Sequence, residues 1–252
     1  MRFPLMTKKP VPARTELLLD GKAVSVAVRV SARARSYRLT VPHHGDPVLT
    51  FPVHGQWADA ERFLERHRPW LATRLKRSAP ATRFAHGEQV PLRGVPHRIA
   101  ATGRLRGRVE LAMADGEPQL LVPGEPDRLS RRLSDWLKAE AHKDLTERSL
   151  IHAQTLGVTV KAVTMRAQST RWGSCSSTGR LSYNWRLVLA PPFVLDYVAA
   201  HEVAHLVHMN HSPTFWKTVG VAMPDMERGR AWLKAHGKVL MGYGLGEDAG
   251  EA

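Results

Sequence analysis

Apolar residues alternate along the early chain and later recur at three- and four-residue spacing, so strands are expected first and helices later. Leu17-Leu18-Leu19 leads into Asp20-Gly21, a hairpin signal, and Ala23, Val24, Val26, Val28 and Val30 nearly alternate beyond it. Leu39 and Val41 continue a strand, and Val48 to Val53 form another after a turn at His43-His44-Gly45-Asp46. These segments predict a small antiparallel sheet. Trp57, Ala60, Phe63, Leu64, Trp70, Leu71 and Leu75 predict a helix over Gln56–Arg77, split or kinked at Pro69. Ser78 to Thr82 reads as a linker. Phe84 to Val122 is strand-rich, with turns at His86-Gly87, Arg93-Gly94, Gly103 and Asp115-Gly116, and nothing in it looks catalytic.

Pro123-Gly124-Glu125-Pro126 is the expected boundary between halves. A long helix follows from Asp127 to about Leu156, with Leu129, Leu133, Trp136, Leu137, Ala141, Leu145 and Leu150 on its apolar stripe and Gly157 ending it. Strands are expected over Val158–Met165 and Leu181–Leu189, joined by the loop Gln168–Gly179. Pro191-Pro192 opens the most apolar helix, and shorter helices start at Ser212-Pro213 and Pro224. The division expected is a basic tail over 1–14, a β-rich region with one helix over 15–126, a catalytic region over 127–240 and a flexible tail over 241–252. The fold class is α+β.

Composition narrows the setting. The 252 residues include a single cysteine, Cys175, so no intrachain disulfide forms, which fits a reducing compartment. The first residues lack the apolar core of a secretory signal. The stretch Leu187–Met209 is too interrupted by polar and proline residues to span a membrane, so a cytoplasmic protein is expected. The net charge is +14, with 21 Lys/Arg against 12 Asp/Glu in residues 1–127 and 16 against 11 in the rest. Such a balance favours anionic partners such as nucleic acid or nucleotides.

The candidate chemistry lies in the apolar helix, at His201-Glu202-Val203-Ala204-His205. Residues four apart on a helix fall about 40° from each other, one turn up, so two imidazoles can aim at one point. His–Glu–x–x–His supplies two zinc ligands and a general base for water. Phe193, Val194, Leu195, Val198, Val203 and Leu206 flank the motif and place it on a largely buried helix, where two His and a Glu without partners would be costly. Zinc in a catalytic site commonly takes a third protein ligand. The downstream candidates are His208, His211, Asp225, Glu227 and His236. His208 is about 20° from His201 but two turns away. A chain turn at Met209-Asn210 would instead bring His211 round, so His211 is favoured. Glu202 is the candidate base, with a role as hydrogen-bond partner to a ligand histidine as the alternative.

Several short stretches carry a resemblance. Arg171-Trp172-Gly173-Ser174-Cys175-Ser176, Asn184-Trp185-Arg186-Leu187, Asp196-Tyr197-Val198 before the motif, Asn210-His211-Ser212 and Phe215-Trp216 resemble the YgjP-like metallopeptidase family, related to the SprT-like zincins. The resemblance is strong over residues 160–218. It implies a zincin-like catalytic half with one zinc ion on His201, His205 and His211. Arg171 is a candidate for binding an anionic or oxyanion group, or else a buried ion-pair partner. Trp172 and Cys175 read as packing, and Phe215 and Trp216 as core. By analogy with zincins, Asn184 and Arg186, on the strand before the motif helix, are candidates for holding an extended peptide.

The expected function is zinc-dependent cleavage of peptide bonds in a peptide or protein substrate. Two rivals stand beside it. One is a metal-dependent nucleotide pyrophosphohydrolase, which lacks a phosphate-cradling glycine loop here. The other is a nucleic-acid-associated protease recruited by the basic N-terminal half.

Overall fold

The structure, a computed structural model, describes residues 11–41, 46–76, 82, 84–168 and 171–244. The first ten residues, the turn expected at 43–45, most of the linker at 78–82 and the tail from 245 lie outside the described residues. The chain divides into two compact units, Met1–Pro80 and Ala81–Ala252.

The first unit contains β1 (Arg14–Leu19), β2 (Lys22–Ser31), β3 (Arg38–Thr40), β4 (Val48–Pro52), α1 (Trp57–Arg66) and α2 (Arg68–Lys76). Asp20 and Gly21 both take positive φ, the left-handed conformations that a two-residue hairpin demands, and join β1 to β2. The sheet order is β1-β2-β4-β3. It is mixed, not antiparallel as expected, because β4 inserts between β2 and β3 and runs parallel to β2. Alternation in the sequence fixes which face each side chain takes but not strand direction. Leu17, Leu19, Val26, Leu39, Leu49, Phe51, Ala60, Leu64 and Leu71 form this unit's core. Pro69 sits in the first turn of α2, where its missing N–H is not needed.

The second unit opens with β5 (Gln89–Leu92), β6 (Val95–Ala101), β7 (Glu110–Ala114) and β8 (Glu117–Val122), in the order β5-β6-β8-β7. The outer pairs are antiparallel and the central pair parallel, the same plan as the first sheet. Pro123–Pro126 lies inside this unit: Leu120 and Val122 before it share one core with Leu129 and Leu133 after it. α3 (Leu129–Leu156) buries Leu129, Leu133, Leu137, Ala141 and Leu145, then Ser149, His152 and Ala153. Leu150 is exposed, since the four-residue repeat carries the buried face round to 149 and 153. Gly157 at φ 65 ends the helix in a left-handed cap.

A three-stranded sheet follows, in the order β10 (Gly173–Cys175), β11 (Arg180–Asn184), β9 (Ala162–Arg166). The strand expected over Leu181–Leu189 stops at Asn184. Trp185–Leu189 is a buried 3-10 turn, capped by the Asn184 side chain, which accepts from the Arg186 N–H at 3.1 Å. α4 (Pro192–Ala204), α5 (Pro213–Ala222) and α6 (Met226–Leu240) complete the unit.

α4 is tied to α3 by charge as well as packing. Arg148 donates to both Asp196 carboxylate oxygens, at 2.6 and 2.7 Å, and buried His152 bonds the same carboxylate at 2.6 Å. Burial pushes the Asp196 carboxyl up, but the hydrogen bonds from His152 and Arg148 outweigh it and hold the group below its ordinary value. Asp196 therefore stabilises the fold above the ordinary carboxylate range, and that contribution disappears as pH falls through the lowered value. We predict that Asp196→Asn costs about 2 kcal/mol at neutral pH. Urea titrations should show the wild-type and variant curves converging only below about pH 4.

Candidate metal centre

α4 carries His201 and Glu202 in its last turn and ends at Ala204, so His205 is the capping residue and still helical, at φ −64 and ψ −21. His201 and His205 thus keep their one-turn spacing, with ring centroids 5.0 Å apart. The chain then turns. Asn210 Oδ1 accepts from the Ser212 N–H, and Ser212 Oγ caps α5 by accepting from the Phe215 N–H, both at 3.3 Å. This turn returns His211 to the helix, with its Nε2 3.1 Å from His201 Nε2. Ligand atoms of His201, His205 and His211 all lie within 4.8 Å of one another. Among the described residues, no other group of histidine, cysteine or acidic side chains gathers in this way.

The three rings rest on Phe215, which is fully buried. Its centroid lies 4.5 Å from His205, 4.9 Å from His211 and 5.0 Å from His201. Trp216 flanks His211 at 5.8 Å and His201 at 5.6 Å. Phe215 was expected only as core, and its contact with all three imidazoles was not visible in the sequence.

The protonation of the cluster suits a cation. Burial, then the neighbouring His205 and His211, push His201 down to about 4, and burial likewise lowers His205. His201 and His205 are therefore neutral at physiological pH, the form that binds metal. His205 Nδ1 donates to the His208 carbonyl at 3.0 Å, which leaves Nε2 with its lone pair free. His208 thus contributes its backbone, and its ring stands outside the group. Asp225 and Glu227 are exposed and face Arg228 and Arg230, while His236 packs on Trp232.

Glu202 is buried beside the histidines. Burial raises its carboxyl to about 8, with the Arg171 charge opposing. The edge strand β10 passes directly over it. A Cβ built on Gly173 would lie 2.6 Å from Glu202 Cγ and 2.7 Å from Cδ, and would also overlap Oε1. No side chain fits at 173 while Glu202 holds this position. Gly173 has no positive φ, so the requirement is for space and not for backbone freedom.

The remaining expected residues fall into two groups. Arg171 is exposed and its charge reaches Glu202. Asn184 and Arg186 are buried. Asn184 donates to the Gln168 carbonyl at 2.7 Å, and the Arg186 Nε donates to the Tyr243 carbonyl at 2.7 Å. Asn184 ends β11, which is central in its sheet, and Arg186 lies in the 3-10 turn beyond it; the edge nearest the motif is β10. Trp172 packs against Gly237, where an added Cβ would come within 3.1 Å of its ring. The Cys175 thiol is pushed up to about 11 by burial and by the Glu202 charge, so it is not a thiolate nucleophile. A cavity of about 400 Å³, lined in part by Arg93, Asp144, Arg148 and Asp196, contains none of the three histidines. Its two arginines are paired with acidic neighbours.

No helix among the described residues is long and apolar enough to cross a membrane. No curated protein was found to match the chain. The crystal structure of the metallopeptidase zymogen of Pyrococcus abyssi abylysin is similar at 19% identity, over 38% of this chain and 94% of that one, with a TM-score of 0.34. A family model described as the YgjP-like metallopeptidase domain matches residues 35–236, most of the chain and all of the histidine cluster. The chain belongs to the YgjP-like metallopeptidase family.

Proposed function

We propose that this protein is a zinc-dependent peptidase in which His201, His205 and His211 hold one metal ion and Glu202 is the general base. The observation that carries the reading is the convergence of three imidazoles, two held neutral by burial, beside a buried carboxylate that is not needed as a ligand. Nitrogen donors in threes with an open side suit zinc in a catalytic role. Zinc held there supplies Lewis acidity toward the substrate carbonyl and toward water.

The chain's own residues supply the rest. The charge of a dication held beside Glu202 would offset the burial that raises its carboxyl and leave it ionised at neutral pH, and the carboxylate then accepts a proton as the water oxygen bonds to the peptide carbon. It delivers that proton to the amide nitrogen as the C–N bond breaks, and ends unprotonated. Phe215 and the His208 carbonyl fix the rings of the histidines, so little rearrangement accompanies the reaction. β10 is an outer strand of its sheet, one face of it packs on Glu202 at Gly173, and its unpaired side offers an extended peptide the place to add as a further strand. Arg171 adds positive charge at the same end. Asn184 caps the 3-10 turn, and Arg186 ties that turn to the Tyr243 carbonyl.

Removing metal tests the proposal. Treatment with a chelator should abolish cleavage of a quenched peptide library, and zinc should restore it. Phosphate release from nucleotides under the same metal should stay at background. Peptide cleavage that survives chelation, or zinc-dependent phosphate release without peptide cleavage, would contradict it.

A further inference from the structure

Residues 1–80 hold 15 Lys/Arg against 6 Asp/Glu, so this unit carries +9 of the chain's +14. The charge has a partner in shape. A groove of about 480 Å³ in the unit is lined by Tyr37, Arg38, Leu39, Phe63, His67 and Trp70. Four of these six residues have flat ring faces. Tyr37 and Phe63 centroids are 5.9 Å apart, and Phe63 lies 4.1 Å from His67. Tyr37 is fixed at its far end, its hydroxyl donating to the Gln56 carbonyl at 3.0 Å and accepting from the Gln56 N–H at 2.9 Å. Trp70, in the first turn of α2, is 45% exposed, an unusual placement for so large an apolar ring.

The segment feeding this groove is Arg33-Ala-Arg-Ser-Tyr-Arg38, in which arginines alternate with small residues before Tyr37. Arg33, Arg35 and Arg38 are exposed, and among the described residues none of the three is paired with a carboxylate. Arg38 lies on β3, at the edge of its sheet.

We infer that this groove binds a single-stranded polynucleotide, with a base stacked on Trp70 and the neighbouring rings and phosphates on Arg33, Arg35 and Arg38. Three closely spaced, exposed arginines fit a backbone of repeating phosphates, and exposed ring faces fit bases that are not already stacked in a duplex. An acidic peptide would use the arginines but leave the rings without a purpose. The inference does not depend on the peptidase reading, since it concerns the first unit alone.

Fluorescence anisotropy of the full chain with a labelled oligothymidylate, at several salt concentrations, tests it. The wild type should bind, with log Kd depending linearly on log salt. Trp70→Ala should weaken binding about ten-fold, and Trp70→Phe should retain most of it. Replacing Arg33, Arg35 and Arg38 together by alanine should reduce the salt slope by about 2. Equal affinity for a duplex of the same length, equal competition by polyglutamate, or indifference to both sets of substitutions would overturn the inference.

Discussion

Glu202→Gln should lower kcat/KM for peptide hydrolysis on the order of a thousand-fold, the range expected when a general base is removed. Zinc content should stay at one ion per chain, because Glu202 lies outside the group of ligand atoms. The fold should not suffer either. The carboxyl of Glu202 is raised to about 8 by burial, so its ionised form is a burden on the folded state that an amide of the same shape removes. A variant that is inactive, zinc-loaded and at least as stable as the wild type is the expected outcome. Activity retained in that variant would remove Glu202 from the reaction.

Gly173→Ala is expected to have the next largest effect. The added methyl would sit within 2.7 Å of two Glu202 carbons, inside any normal contact, so either the carboxylate or strand β10 must move. A displacement of about 1 Å at a reacting group costs on the order of a hundred-fold in rate. Because the backbone at 173 has no positive φ, alanine brings no conformational strain of its own, and the variant reports on space alone. The loss should fall on kcat, with zinc affinity unchanged. In a Glu202→Gln background the same substitution should add nothing to the loss, since the group it disturbs is already without a role. An additional loss there, or a change confined to KM, would place the effect of Gly173 on substrate docking instead.

What the sequence revealed of the site depended on how local each relation is. His201 and His205 are one helical turn apart, and helix geometry alone sets their rings side by side. His211 needed only a short turn, and Asn210 and Ser212 are the residue types that make such turns and caps. Gly173 and Phe215 were different. Gly173 meets Glu202 across 29 positions of chain, through a strand edge whose place in the sheet no period reports. Phe215 looked like any core aromatic, and only the assembled turn shows that three imidazoles share its ring.

The fold was legible to a similar degree. Hairpins closed by Asp20-Gly21 and Asp115-Gly116 follow from residues that accept positive φ, while at Arg93-Gly94 only the glycine gives that signal, although Arg93 takes φ 50 as well. The parallel central pairs in the first two sheets do not follow, because side-chain alternation is the same for either direction. Asn184 and Arg186 sit in the middle of the run Leu181–Leu189, which reads as one strand. The side-chain cap from Asn184 turns the chain into a 3-10 helix there, and this takes both residues into the interior.

The central claim is that one zinc ion sits among His201, His205 and His211. Anomalous diffraction at the zinc edge from zinc-soaked crystals tests it most directly. The account predicts a single strong peak within about 2.1 Å of a ring nitrogen of each of the three histidines, with Glu202 nearby but not bound. A peak without His211 among its ligands, or zinc bound only elsewhere on the chain, would contradict it.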